Sequence, residues 1–315
     1  MKPLYVERDG ETVYRPPYEQ KDTALTGWLL RSNRAALQEI LDRDLNRPSG
    51  GAVDYRPLTS TVLLSIANIR QIHSLDARDA NYGWIPEIDV CVWILTGAFK
   101  DGELDHVAWY VPYIWVDNPY AMSTGRETVG YPKAIGWMQT PRDPHDPGPL
   151  WLDAYVLSPY APTTELRRDR IFTLTRVPGA PSPLEEWADD AKDAFLAIAR
   201  MFFALGDVHC DWAFFVDAFE NLLGGHMPMV FLKQFRDSAT STRACYQAIV
   251  EANATIKSFR RGGLLAGDWT LDLEQYDSLK MRDRLGLDAR TTIDHGFWLD
   301  FTFSMDLGGE VWRAP

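Results

Sequence analysis

Three closely spaced segments limit what this chain can become: Thr59 to Arg70, Pro86 to Phe99 and Asp105 to Val116. All are rich in β-branched and aromatic residues and bounded by turn residues, so each reads as a strand. Lys100-Asp101-Gly102-Glu103 joins the last two, and Asp-Gly supplies the positive φ of a hairpin turn. Shorter runs of the same character follow at Trp137 to Gln139, Leu150 to Leu157, Ile171 to Arg176, Met229 to Phe235, Tyr246 to Ile256, Asp268 to Glu274 and Phe297 to Met305. So many strands with so few helices predict an α+β chain, mainly β, whose sheet curls on itself or doubles into layers.

Helices are few. Ser32 or Asn33 caps one that runs to about Leu45, with Leu37, Ile40 and Leu41 on one face. Ser182-Pro183-Leu184-Glu185 is a capping box with proline at the first helical position. From it, Leu184, Trp187, Ala191, Phe195, Ile198, Phe202 and Leu205 make a wide apolar stripe, to be buried on the sheet or between subunits. Trp212 to Leu223 reads as a further helical piece, and the polar, proline-rich first 20 residues as an arm or edge strand.

The 315 residues carry a formal net charge of −12. That charge disfavours non-specific binding to nucleic acid or anionic lipid, so neither is an expected partner. No apolar run has signal-peptide or membrane-spanning length. The three cysteines, Cys91, Cys210 and Cys245, form no CxxC and no disulfide framework, which points to a reducing cytoplasm. The six histidines show no metal-ligand spacing, and the phosphate-, dinucleotide- and zinc-binding motifs are absent. No metal and no cofactor are predicted.

Lysine usage is more informative. Only eight lysines occur, and two of them, Lys133 and Lys233, sit among apolar neighbours. Ordinary lysines at neutral pH are about one part in a thousand neutral amine. Desolvation disfavours the ammonium, lowering the pKa by up to roughly 3 units and making the amine a usable nucleophile. Pro132 fixes the backbone immediately before Lys133.

The residues around Lys133 carry a resemblance. A strand ending in Asp117-Asn118, a short segment of small residues, and then Gly125-Arg126-Glu127-x-x-Gly130-Tyr131-Pro132-Lys133 is similar to the signature of acetoacetate decarboxylase and its relatives. Weaker similarity extends upstream through Thr59 and Trp84-Ile85-Pro86-Glu87-Ile88, and downstream over Met229 to Asp277. The resemblance implies a closed, cone-like antiparallel β-barrel with its lysine inside, in a protein that forms a homo-oligomer. It implies one domain over 1–315, with a helical insertion at about 182–225 and an extra C-terminal segment at about 281–315. By the same resemblance Lys133 forms the imine, Glu87 is the carboxylate facing it, and Arg126 and Glu127 shape the loop.

Strand alternation puts Glu87, Asp89 and Cys91 on one face opposite Ile88, Val90 and Val92, so a carboxylate reaches the cavity of Lys133 if that face is inward. A carboxylate on that face can shuttle protons as a carbinolamine forms and collapses.

Two departures narrow the activity. Ala134 stands where acetoacetate decarboxylases resemble one another in having a second lysine, and no arginine lies near Thr23 and Ala24. Lys233 is a candidate to replace the missing charge. The resulting expectation is a lyase acting on a keto acid or related carbonyl compound, as aldolase, retro-aldolase or dehydratase. A decarboxylase of a larger β-keto acid and a non-catalytic binder of an apolar or aromatic molecule are the other readings; 12 tryptophans and 13 tyrosines suit the last.

Overall fold

A computed structural model describes residues 3–8, 13–141, 148–178, 186–188, 191–205, 226–265 and 267–315. The first four strands, β1 (Tyr18–Arg31), β2 (Tyr55–Ser74), β3 (Ile85–Lys100) and β4 (Glu103–Val116), form an antiparallel meander. Asp101 and Gly102 both take positive φ between β3 and β4, as the Asp-Gly hairpin requires. β9 (His226–Arg236), β10 (Ala244–Leu264) and β13 (Gly296–Met305) complete the arrangement. β13 pairs with both β1 and β10, β10 pairs with β9, and β9 returns to β4 through Trp109↔Met229 and Tyr110↔Val230. Seven strands therefore close into a hydrogen-bonded ring. The sheet is not wholly antiparallel as expected, because β4 pairs in parallel with β9 and with β5 (Lys133–Gln139).

From β5 the sheet continues through β6 (Leu150–Val156), β7 (Arg167–Arg176), β11 (Trp269–Leu273) and β12 (Arg290–Ile293). This second part packs on the outer face of the ring. Val90, Val92 and Ile94 of β3 meet Leu152, Leu174 and Leu271 there, together with Leu37, Ile40 and Leu41 of helix α1 (Arg34–Leu41). Asn33 caps α1 by accepting from the amides of Ala35 and Ala36. The outward face of β3 thus covers a sheet as well as a helix.

Strand β1 escapes the sequence pattern. Its first half, Tyr18 to Thr23, is polar, and Asp22 sits at positive φ where the pairing with β13 shifts register. That bulge breaks the alternation a strand is recognised by. The C-terminal segment, read from the sequence as extra, supplies β13, which closes the ring between β1 and β10. It also contributes the short helix α4 (Met281–Leu285) and the strand β14 (Gly309–Arg313), which pairs with β10.

The predicted helix from Ser182 is shorter than its apolar stripe suggests. Ser182 to Glu185, the side chains of Trp187 and Phe195, and the predicted helix Trp212 to Leu223 lie outside the described residues. Glu186–Ala188 form a short strand, β8, on β10, and helix α3 runs over Ala191–Ala204. Ala194, Ile198 and Phe202 of α3 are buried against the inner face of the ring, with the Phe202 ring edge-on to Trp109 at 5.7 Å. Burial on the sheet, one of the two expected fates of the stripe, is where these residues stand. Among the described residues no helix is long and apolar enough to cross a membrane.

Leu152 is fully buried between the two parts of the sheet. Leu152→Ala should lower unfolding free energy by about 2–5 kcal/mol, read as a reduced urea midpoint with an unchanged slope.

Candidate active site

Strand register brings the chemical groups together. Cys91 of β3 lies opposite Ile114 of β4, which lies opposite Lys133, the first residue of β5. Asp89 and Glu87 follow Cys91 on the same face at steps of two. Lys133 therefore emerges into the ring beside the inward face of β3, and its Nζ donates to Glu87 Oε1 at 2.6 Å. Both side chains are buried, Lys133 to 8% and Glu87 to 3% exposure. The structure thus joins the two residues singled out in the sequence.

The motif residues hold this contact in place. Asp117 accepts from the Ile88 amide at 2.8 Å, and the Asn118 side chain donates to the Pro86 carbonyl at 2.7 Å. These bonds tie the end of β4 to the stretch of β3 that carries Glu87. Asn118 also caps helix α2 (Pro119–Thr128), which begins with proline in its first turn. Gly125 of α2 leaves the space that the lysine fills: a Cβ there would lie 2.9 Å from Lys133 Cδ and Cε. The Gly125 carbonyl accepts from the amides of Gly130 and Tyr131, turning the chain back toward β5. Gly130 has φ +99°, and a Cβ would meet the Lys233 backbone at 2.6 Å. Arg126 donates to the Lys133 carbonyl at 3.0 Å, and Glu127 accepts from the Tyr5 hydroxyl at 2.8 Å. Neither lines the cavity. Both support the loop instead.

The cavity around Lys133 holds about 180 Å³ and is mostly apolar, lined by aromatic and aliphatic side chains from the ring and α3. Tyr131 packs at a tilt against Phe231 with centroids 4.3 Å apart and places its ring 5.4 Å from Lys133 Nζ. Tyr14 and Tyr18 close one wall, so the N-terminal segment read as an arm contributes to the site.

Lys233 does not enter this cavity. Its Nζ donates to the Thr128 carbonyl at 3.1 Å, at the end of α2, and stands 5.6 Å from the Tyr246 ring. It cannot stand in for a second cavity lysine. Ala134, one residue past Lys133, is exposed, as strand alternation dictates.

Asp89 is the functional group that sequence reasoning left unassigned, although alternation had placed it on the face of Glu87. Burial and the neighbouring Glu87 carboxylate raise its pKa to about 7, against the opposing pull of Lys133. Cys91 donates to Asp89 Oδ1 at 3.4 Å, and burial pushes its thiol well above the usual range. Burial also keeps the Tyr131 phenol protonated. The site consequently holds one lysine, one carboxylate in contact with it, and a second carboxyl group that keeps its proton near neutrality. Among the described residues no cluster of three or more histidine, cysteine or acidic side chains could hold a metal ion.

The strand ring with its second sheet has the fold of acetoacetate decarboxylase-like structures. Structural neighbours of the chain include acetoacetate decarboxylase and an acetoacetate decarboxylase-like enzyme. They include the acetoacetate decarboxylase from Legionella pneumophila subsp. pneumophila str. Philadelphia 1, with TM-score 0.61 and 12% identity over 98% of this chain and 93% of that one. The enduracididine biosynthesis enzyme MppR matches with TM-score 0.54 and 13% identity over 96% and 91%. An acetoacetate decarboxylase-like enzyme from Sphingomonas wittichii RW1 matches with TM-score 0.54 and 14% identity over 95% and 94%. No family profile matches the sequence, and no curated protein does.

Gly125→Ala should push the Lys133 side chain away from Glu87 while leaving the fold intact. Reductive methylation followed by mass spectrometry should then show Lys133 reacting several-fold faster than in the wild type.

Asp89 gives a second test through linkage. Its folded pKa lies above the unfolded value near 3.9, so the folded protein retains a proton that the unfolded chain releases. This contribution to stability is present at low pH and is lost as pH rises toward and through about 7. Asp89→Asn lacks that loss, so its stability relative to wild type should increase from pH 5 to pH 8 in urea titrations.

Proposed function

We propose that the chain is a Schiff-base-forming enzyme of the acetoacetate decarboxylase-like superfamily, acting on a carbonyl compound through Lys133. The observation that carries this reading is the 2.6 Å contact between Lys133 Nζ and Glu87 inside an apolar cavity. Such a lysine has a proton acceptor at hand and little water to compete with it.

The chemistry follows in balanced steps. Glu87 takes a proton from the Lys133 ammonium, and the freed lone pair attacks the substrate carbonyl carbon. The developing oxyanion takes a proton from a carboxyl group, and we assign that step to Asp89, whose pKa is raised to about 7. Loss of the carbinolamine oxygen as water leaves an iminium at Lys133. The iminium withdraws electrons from the adjacent carbons, and the bond cleaved or formed there decides the reaction class. We assign aldol, retro-aldol or dehydration chemistry ahead of acetoacetate decarboxylation. Ala134 and the outward Lys233 leave Lys133 without a cationic neighbour among the described residues of the cavity. One protein of this fold, MppR, is described as complexed with the condensation product of pyruvate and imidazole 4-carboxaldehyde. A larger β-keto acid decarboxylase would share the same imine, and release of carbon dioxide separates it from the aldol reading.

Sodium borohydride in the presence of a reactive ketone or aldehyde should fix the substrate on Lys133 and on no other lysine. Lys133→Ala should abolish the adduct, and a dominant adduct on Lys233 would break the assignment. Glu87→Gln keeps the shape and removes the titrating group, so turnover should fall by about 100-fold or more with the protein still folded.

A further inference from the structure

Among the described residues lining the cavity, every charge is already committed. Lys133 is the only cation among them, and it faces Glu87 with Asp89 two residues away. Converting the ammonium to an iminium, with loss of water, leaves one positive charge on the same nitrogen. One cation therefore still faces one ionised carboxyl group, Glu87 before the proton transfers and Asp89 after them, and a substrate carboxylate would enter with no partner. Burying an unpaired anion beside two carboxyl groups is strongly unfavourable.

The polar groups left over are neutral. Thr23 is 1% exposed, lines the cavity, and its hydroxyl has no hydrogen-bond partner among the described residues. Register places it: Thr23 of β1 lies opposite Ile69 of β2, and Ile69 lies opposite Glu87 of β3. The Thr23 hydroxyl thus stands two strands from Glu87, roughly 10 Å along the wall. The Trp109 indole N–H is likewise buried without a partner on the cavity wall. Buried polar groups left unpaired mark places where a ligand can complete the hydrogen bonding. Most of the rest of the lining is apolar, including Phe301 beside Thr23. A volume near 180 Å³ suits a body about the size of one aromatic ring, since apolar cavities of roughly 150 Å³ accept benzene.

We infer that the substrate is an uncharged carbonyl compound with an apolar, ring-sized body and a second neutral oxygen that meets Thr23, and not a keto acid. This inference rests on the imine reading for the position of the reacting carbonyl, but its selectivity stands on the cavity alone.

A matched pair of ligands tests it. 4-Hydroxy-4-phenylbutan-2-one is neutral; 4-hydroxy-2-oxo-4-phenylbutanoate has a carboxylate in place of its methyl group. Calorimetry on the wild-type protein at pH 8 should give a Kd at least 10-fold lower for the neutral ketone. Thr23→Val, close in size but lacking the hydroxyl, should weaken the neutral ketone by about 2–10-fold, the range of one neutral hydrogen bond. Asp89→Asn should strengthen binding of the acid several-fold. Equal or tighter binding of the acid by the wild type, or no binding of the neutral ketone, would overturn the inference. An unchanged Kd in folded Thr23→Val would overturn the role of Thr23. Borohydride treatment of the same mixtures reads the other proposal separately. Tight neutral binding with no adduct on Lys133 would reject the imine while leaving the selectivity established.

Discussion

A lysine ammonium placed inside a closed ring of strands must be answered by an opposite charge, and here the answer is Glu87 at 2.6 Å. Removing one member of such a buried pair typically costs about 3–5 kcal/mol, because the other is left uncompensated. The surrounding architecture serves to keep that contact. The outer face of β3 is held by the second sheet and α1, which orients its inner face, with Glu87, Asp89 and Cys91, toward the cavity. The ring itself closes through only two parallel residue pairs between β4 and β9, so β13 and α3 complete walls that the meander alone would leave open.

The other residues of the Gly-Arg-Glu to Pro-Lys segment divide the work of placing Lys133. Gly125 provides volume for the lysine stem, Gly130 provides a positive φ and a close approach to β9, and Arg126 anchors the Lys133 carbonyl. Asp117 and Asn118 fasten the far end of β3. A flexible four-carbon side chain is aimed in this way by its backbone and by the space left for it.

The electrostatic composition is distinctive. One cation faces two carboxyl groups, and low dielectric makes the second carboxyl hold its proton near neutrality. A proton acceptor and a proton donor thus sit side by side at equal chemical identity, separated by environment. The proposed imine chemistry would draw on that arrangement, whereas a cavity with surplus positive charge would serve anion binding.

The elements best read in advance were those whose pattern is local. The β3–β4 hairpin, announced by Asp101-Gly102, and the helix behind Asn33 needed only neighbouring residues to be recognised. Period-two alternation also put Glu87, Asp89 and Cys91 on one face, because the pleat leaves no other choice. What tertiary structure decided was which face turned inward and what met it. Bulged, polar β1 gave no clean alternation, so neither its central place in the ring nor the inward Thr23 could be read from it. β13 lies far along the chain from β1 and pairs with it only once the ring closes, which is why the C-terminal segment looked like an appendage. Lys233 and Lys133 share an apolar sequence setting, yet one ends against the Thr128 carbonyl and the other against Glu87. Composition along a chain records how apolar a neighbourhood is, while the charge a lysine meets is set by strands brought beside it from elsewhere.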